Sequence, residues 1–200
     1  MSADTGHAVP AIVLTGGPGG GKSTLLDRCA AEPTLAQRIV VLEEAIHGMR
    51  GCGLAPRSKE FQCAMVAAQI AAEDALGRTM AGGPKQALVT HRGTLDPGAF
   101  WQSFGHPRRS FFEMSRLTLQ DHYRRYDLVL HLESAAVRLP EAYVRFPLAH
   151  RPESVAEAAR LDGLLGELWS GHPRYTRFEA TPDIETKLRR CMRVIRDFLA

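Results

Sequence analysis

Five short apolar runs are spaced along the chain, with stretches of three- and four-residue periodicity between them. Ala11–Thr15 is continuously apolar and ends at Gly16, which predicts a buried strand. Arg38–Leu42, β-branched and closed by Glu43 and Glu44, predicts a second. Gln86–Thr90, Asp127–Leu132 and the short Arg174–Phe178 predict three more. Helical spacing fills the gaps. Lys22–Ala31 reads as a helix stopping at Glu32-Pro33. Ser58–Met80 reads as a long one, with Phe61, Met65, Ala68, Ala72, Ala75 and Leu76 recurring along one face. Ser110-Phe-Phe-Glu113 reads as a capping box opening a helix to about Arg125, and Ser154-Val-Ala-Glu157 as another, opening a helix to about Trp169. Thr181 and Pro182 supply an N-cap and a first-turn proline to the last helix. Its buried face is read as Ile184, Leu188, Met192, Ile195 and Leu199, with Lys187, Arg190 and Arg193 turned mostly to solvent.

Strands alternating with helices and no internal repeat predict an α/β fold: one parallel sheet covered on both faces. The length of 200 residues agrees with one domain, read as residues 11–200 behind a tail of residues 1–10. A composition 44% hydrophobic and 24% charged excludes a disordered chain, a collagen and a disulfide scaffold. The net charge of +3 is only mildly basic, so it suits a small anionic ligand and makes a nucleic-acid partner unlikely. Four cysteines (Cys29, Cys52, Cys63 and Cys191) without a C-x-x-C pair read as buried, reduced thiols. The longest apolar run, Cys63–Ala68, falls far short of the ~18 residues of a membrane helix. The opening MSADTGHAVP lacks the basic and apolar regions of a signal peptide. The expectation is a cytoplasmic protein without membrane contact.

Gly16-Gly17-Pro18-Gly19-Gly20-Gly21-Lys22-Ser23 fits G-x-x-x-x-G-K-[ST] at every position, between a strand and a helix. Phosphate oxygens need several N–H donors converging on one point, and glycines allow the tight curl and close approach. Lys22 brings an ammonium to the β- and γ-phosphates, Ser23 a hydroxyl to magnesium, and Thr24 follows in the first helical turn. The expectation is ATP or GTP with Mg²⁺.

Ligands of such sheets gather beyond the carboxyl ends of the strands. After the second strand stand Glu43 and Glu44, of which Glu44 is preferred for orienting magnesium or an acceptor hydroxyl. After the third come His91, Arg92, Gly93 and Asp96. Arg92 suits an acceptor's phosphate or carboxylate; His91 reads as a base or as a strand-end hydrogen-bonding group. Phe100, Trp101 and Phe104 read as core more than as a stacking platform. Asp127 begins the fourth strand, the wrong end for a magnesium ligand, and reads as structural.

The segments VLTGGPGGGKSTLL, VVLEEA, HRGTLDPGAF and YDLVLHLE, in that order, resemble the P-loop kinase-like "AAA-type" ATP-binding proteins. That group includes the ribosylnicotinamide kinase module of the bifunctional NAD-synthesis regulator and is more distantly similar to thymidylate and deoxynucleoside kinases. The resemblance runs from about Ala11 to Leu199 and implies a P-loop NTPase of nucleotide-kinase type with a five-stranded parallel sheet. It implies phosphoryl transfer from ATP or GTP to a small, nucleoside-like acceptor. It further implies a lid over about residues 134–152 whose Arg145 and Arg151 close on the phosphates, a base contact near Thr181, and Asp96 in the magnesium shell. The family usually carries Asp-Arg-Gly after the third strand; here His91 stands for the aspartate. Glu44 or Asp96 then takes over its duty, or phosphoryl transfer is weakened. Three functions stay open: a small-molecule kinase, a nucleotide-dependent switch or slow NTPase acting through a protein partner, and a nucleic-acid ATPase using the basic last helix. Pairing into a homodimer is compatible with each.

Overall fold

The computed structural model describes residues 9–44, 49, 51–145 and 153–200. Five parallel strands, β1 (Ala11–Thr15), β2 (Ile39–Leu42), β3 (Ala87–His91), β4 (Leu128–Leu132) and β5 (Tyr175–Phe178), form one sheet in the order β2-β3-β1-β4-β5. The three inner strands are buried at every residue, which is why they read as unbroken apolar runs. Side chains alternate between the faces. Ile12 and Leu14 pack against α1 (Lys22–Ala31), α2 (Pro33–Ala36) and α10 (Ile184–Leu199), around Leu25, Leu26, Leu188 and Ile195. Ala11 and Val13 face the opposite layer. It holds α3 (Lys59–Met80), α4 (Asp96–Ser103), α5 (Arg108–Ser115), α6 (Leu119–Tyr123) and α9 (Val155–Trp169), packed around Trp101, Phe111, Leu165 and Trp169. Two short helices, α7 (Ala135–Arg138) and α8 (Pro140–Arg145), follow β4. The chain leaves β1 toward β2 on one side and later crosses to β4 on the other. The point where the order reverses lies at the carboxyl end of β1, where such sheets bind ligands.

The structure corrects several readings. The segment after α4 holds two helices, not one. α5 starts at Arg108 behind Pro107 and ends where Arg116 turns left-handed, with φ of 56°. Ser110 caps nothing: its hydroxyl donates to Pro107 O and accepts from Trp101 Nε1. The working box is Thr118 with Asp121, at the head of α6. The last helix is capped by Asp183, whose Oδ1 accepts from Thr186 N at 3.0 Å, so Thr181 and Pro182 lie outside it. Ile184 is exposed, whereas Lys187 is buried. The helix α4 had only the spacing of its aromatics to announce it. Asp127 is structural, its Oδ2 accepting from Ala11 N at 2.9 Å. Val9 is buried with Met80 and Leu88, and of the four cysteines read as buried, Cys52 is exposed and Cys63 half-buried. The Ser154–Glu157 box caps α9 as read.

Candidate nucleotide-binding and acceptor site

The loop leaving β1 is pressed onto the end of β4. A Cβ at Gly16 or at Gly20 would lie 2.2 Å from the carbonyl oxygen of Leu132, so no other residue fits either place. Gly16, Gly19 and Gly21 also hold positive φ angles of 115°, 76° and 93°. The curl delivers Lys22 to its centre, where Nζ donates to Gly16 O at 2.7 Å and Gly17 O at 2.8 Å. Burial, with the nearby Arg92 charge adding to it, lowers the lysine's pKa to about 7, against the opposing pull of Glu44, Asp96 and Asp162. A triphosphate supplies the missing negative charge.

Behind the loop lies a buried polar scaffold that sequence reasoning missed. Asp162, on α9, accepts from Gly17 N and Ser134 N at 2.8 Å each, from Arg177 at 3.0 Å, and faces His131 Nε2 at 3.1 Å. Ser134 in turn donates to Pro18 O. Glu133 accepts from Arg177, Arg138 and Ala180 N, and these bonds outweigh burial to hold its carboxyl below the ordinary value. Lys187 Nζ reaches in from α10, donating to Glu133 O at 2.8 Å and Gly20 O at 3.1 Å, with burial lowering its pKa to about 8. One signal was available: Asp162 interrupts the apolar stripe formed by Ala158, Leu161, Leu165 and Gly166.

Across the crevice, Glu44 turns inward after β2 while Glu43 is exposed. Glu44 Oε1 accepts from Arg92 Nε at 2.5 Å, and Oε2 lies 3.4 Å from His91 Nδ1. Burial raises the Glu44 pKa, but Arg92, His91 and Lys22 outweigh it and keep the carboxyl below its usual range. His91 Nε2 lies 3.3 Å from Ser23 Oγ, so the imidazole links the loop's hydroxyl to the carboxylate. Arg92 has φ of 70°, rare for a bulky residue. That turn is held by Arg92 N donating to Leu14 O and by Gln69 Nε2 donating to Arg92 O. A Cβ on Gly93 would lie 2.9 Å from Tyr126 Oη, whose oxygen accepts from Thr94 N and donates to Glu73. The guanidinium rests 5.0 Å from the Phe100 ring centre, with NH1 3.5 Å from Gly16 O.

Glu44 and Arg92 also line a cavity of about 400 Å³. Apolar side chains line it from α3 (Phe61, Met65), from α4 (Pro97, Phe100) and from Phe104 just after α4, and α9 adds Arg160 and Leu161. That volume lies within the ~300–1,000 Å³ of small-molecule sites.

A family model described as an AAA domain matches residues 11–187, nearly the whole chain. The chain belongs to that family. No curated protein matches it. Among solved structures, the AAA domain is similar to the NadR protein crystallised in complex with NAD and AMP-PNP, with a TM-score of 0.66 at 14% identity. The match covers 96% of this chain and 49% of that one, so the AAA domain spans about half of NadR's length. At that identity the likeness establishes the fold: an α/β P-loop NTPase with five parallel strands.

The AAA domain brings Gly16–Ser23, Glu44 and Arg92 together at one crevice. Asp96 stands behind them, fully buried: Oδ1 accepts from Thr15 Oγ1 and Trp169 Nε1 at 2.7 Å each, and Oδ2 lies 3.8 Å from Arg92 NH1. Burial raises its pKa despite these partners. Thr24 is exposed on α1, and Thr181 is half-buried after β5. Trp101 is core, while Phe100 and Phe104 line the cavity. Of the two arginines that the resemblance assigns to a lid, Arg145 is exposed at the end of α8, and Arg151 lies outside the described residues. Among the described residues no helix is long and apolar enough to cross a membrane, and no cluster of three His, Cys, Asp or Glu could hold a metal ion unaided.

Proposed function

We infer that this chain is an ATP-dependent small-molecule kinase. The observation that carries the reading is the cavity: a nucleoside-sized space meets the phosphate loop across Glu44 and Arg92. A pure switch has no need of a second pocket there. The triphosphate takes the loop's N–H groups and Lys22; that the NadR protein, of like fold, was crystallised with AMP-PNP supports this reading. Arg92, fixed by Glu44 and Phe100, adds positive charge where the transferred phosphoryl group gathers negative charge. The sequence reading gave Arg92 to an acceptor's phosphate or carboxylate; its contact with Gly16 O favours the transferred phosphate instead. Glu44, kept ionised, orients the acceptor hydroxyl. Asp96 steadies Thr15 and Trp169 beneath the loop, and closing on the phosphates is the role the family resemblance gives to Arg145 and Arg151.

Magnesium fits the site as an ion carried in by the nucleotide. Such an ion keeps most of its oxygens from phosphates and water, so Ser23 Oγ is the protein's own donor, with the Glu44 charge one imidazole away. When bound, it neutralises phosphate charge.

His91 favours a second reading, a nucleotide switch or slow NTPase, because imidazole is a poor partner for so hard a cation. ³¹P NMR separates the two. Protein, ATP and Mg²⁺ are incubated with pooled nucleosides, sugars and vitamin precursors, with Lys22→Ala as control. A phosphoester resonance absent from the control is the expected result. Intact ATP, or free phosphate alone, from a protein that binds nucleotide rejects a kinase for those acceptors and favours the switch.

A further inference from the structure

The cavity wall built by α3 carries two glutamines that packing alone does not require. Gln62 and Gln69 lie two turns apart on one face, with Met65 between them, and all three line the cavity. Both glutamines are buried, at 5% and 4% exposure. Their hydrogen bonds reveal what each has left to offer. Gln69 Nε2 spends both N–H groups, on Glu73 Oε1 at 2.8 Å and on Arg92 O at 3.2 Å. A carboxylate engaged by Arg125 and a backbone carbonyl accept only, so the amide cannot be turned the other way round. Its oxygen, without a partner among the described residues, is an acceptor and nothing else. Gln62 Nε2 spends one N–H on Pro56 O at 2.8 Å, leaving Oε1 and one N–H. Polar atoms with unspent capacity that buried side chains turn toward a cavity are what a ligand's polar atoms complete.

We propose that the two carboxamides set acceptor specificity: Gln69 takes a hydroxyl of the acceptor's reacting end, and Gln62 takes an amino or ring N–H at its other end. The proposal rests on reading the cavity as the acceptor site. Seven residues of helix separate the two glutamines by about 10 Å, which is the reach of a flat ring joined to a hydroxyl-bearing group. Met65 lies between them, and Phe100 and Phe104 supply an apolar face across the cavity. Gln69 is joined through Arg92 to Glu44, which places it at the phosphate end. The acceptor class is therefore a ring carrying an N–H donor at the far edge. A ring edge that offers only acceptors leaves the Gln62 oxygen unpaired.

The test is calorimetric binding to the full chain with AMP-PNP and Mg²⁺, so that it needs no turnover. The probes are adenosine against purine riboside, and cytidine against pyrimidin-2-one riboside, each pair differing by one amino group. At least one amino-bearing probe is expected to bind about tenfold tighter than its twin, and Gln62→Met to bring the pair within about twofold. Equal binding within both pairs, no binding of any probe, or an unchanged preference in Gln62→Met overturns the proposal. The wild-type comparison decides alone if the variant misfolds. A phosphoester formed on another acceptor in the NMR experiment would leave the kinase reading standing while this one fell.

Discussion

Lys22 carries the site's proton chemistry before any ligand arrives. Its pKa of about 7 lies below the ordinary 10.5 because burial disfavours the ammonium and Arg92 repels it. In the ligand-free protein this lowered value costs stability in full below pH 7, and the cost fades as pH rises from 7 to 10.5. A bound triphosphate pairs the ammonium and raises the pKa again. Nucleotide binding at pH 8 should then take up close to one proton and weaken about tenfold per pH unit above 7. Calorimetry in buffers of different ionisation enthalpy measures the uptake, which should be nearly absent at pH 6. At this scale the sequence was most legible where partners are near neighbours. Lys22 bonds Gly16 and Gly17, six and five residues away, and the spacing of the motif contains that geometry. Asp162 bonds Gly17 across 145 residues and Lys187 bonds Gly20 across 167. No local pattern encodes contacts so distant, and Lys187 on a basic helix reads as solvated until the packing is known.

Among the elements, α9 joins the two halves of the site. Arg160 and Leu161 line the cavity, and the next residue, Asp162, holds Gly17 and Ser134. Asp162→Ala strands two buried N–H groups and takes from Arg177 one of its two carboxylate partners. A loss of about 3 kcal/mol is expected, since groups left unpaired in such networks cost 1–3 kcal/mol each and more when charged. For a chain of this length that is a fall of about 6–12 °C in Tm by thermal melt. Asp162→Asn keeps an oxygen for both N–H groups and should recover most of the loss. Elements were legible where one periodicity ruled, as in β1, β4 and α3. They were misread where two cap signals competed. Ser110 and Thr118 both begin an S/T-x-x-acid pattern, but the hydroxyl of Ser110 is taken by Trp101 and Pro107, a tertiary contact that outbids the cap.

The order of the strands is what the structure adds, but over the whole molecule a sheet of five parallel strands follows from the alternation of strands and helices together with the family pattern. The closing of the phosphate loop by the last helix does not. Lys187→Met keeps the apolar packing of α10 while removing both bonds to Gly20 and Glu133. It should weaken AMP-PNP binding about tenfold, read by fluorescent-nucleotide competition, with a smaller effect on Tm. The same contact has a consequence in time. On the ribosome, the glycine loop emerges early, more than 160 residues ahead of the lysine that props Gly20. A nascent chain displaying β1 through β5 already exposes the whole motif yet lacks this prop and the α10 side of its core. The full hold on nucleotide therefore waits until α10 has been made, after every strand of the sheet and the whole glycine motif.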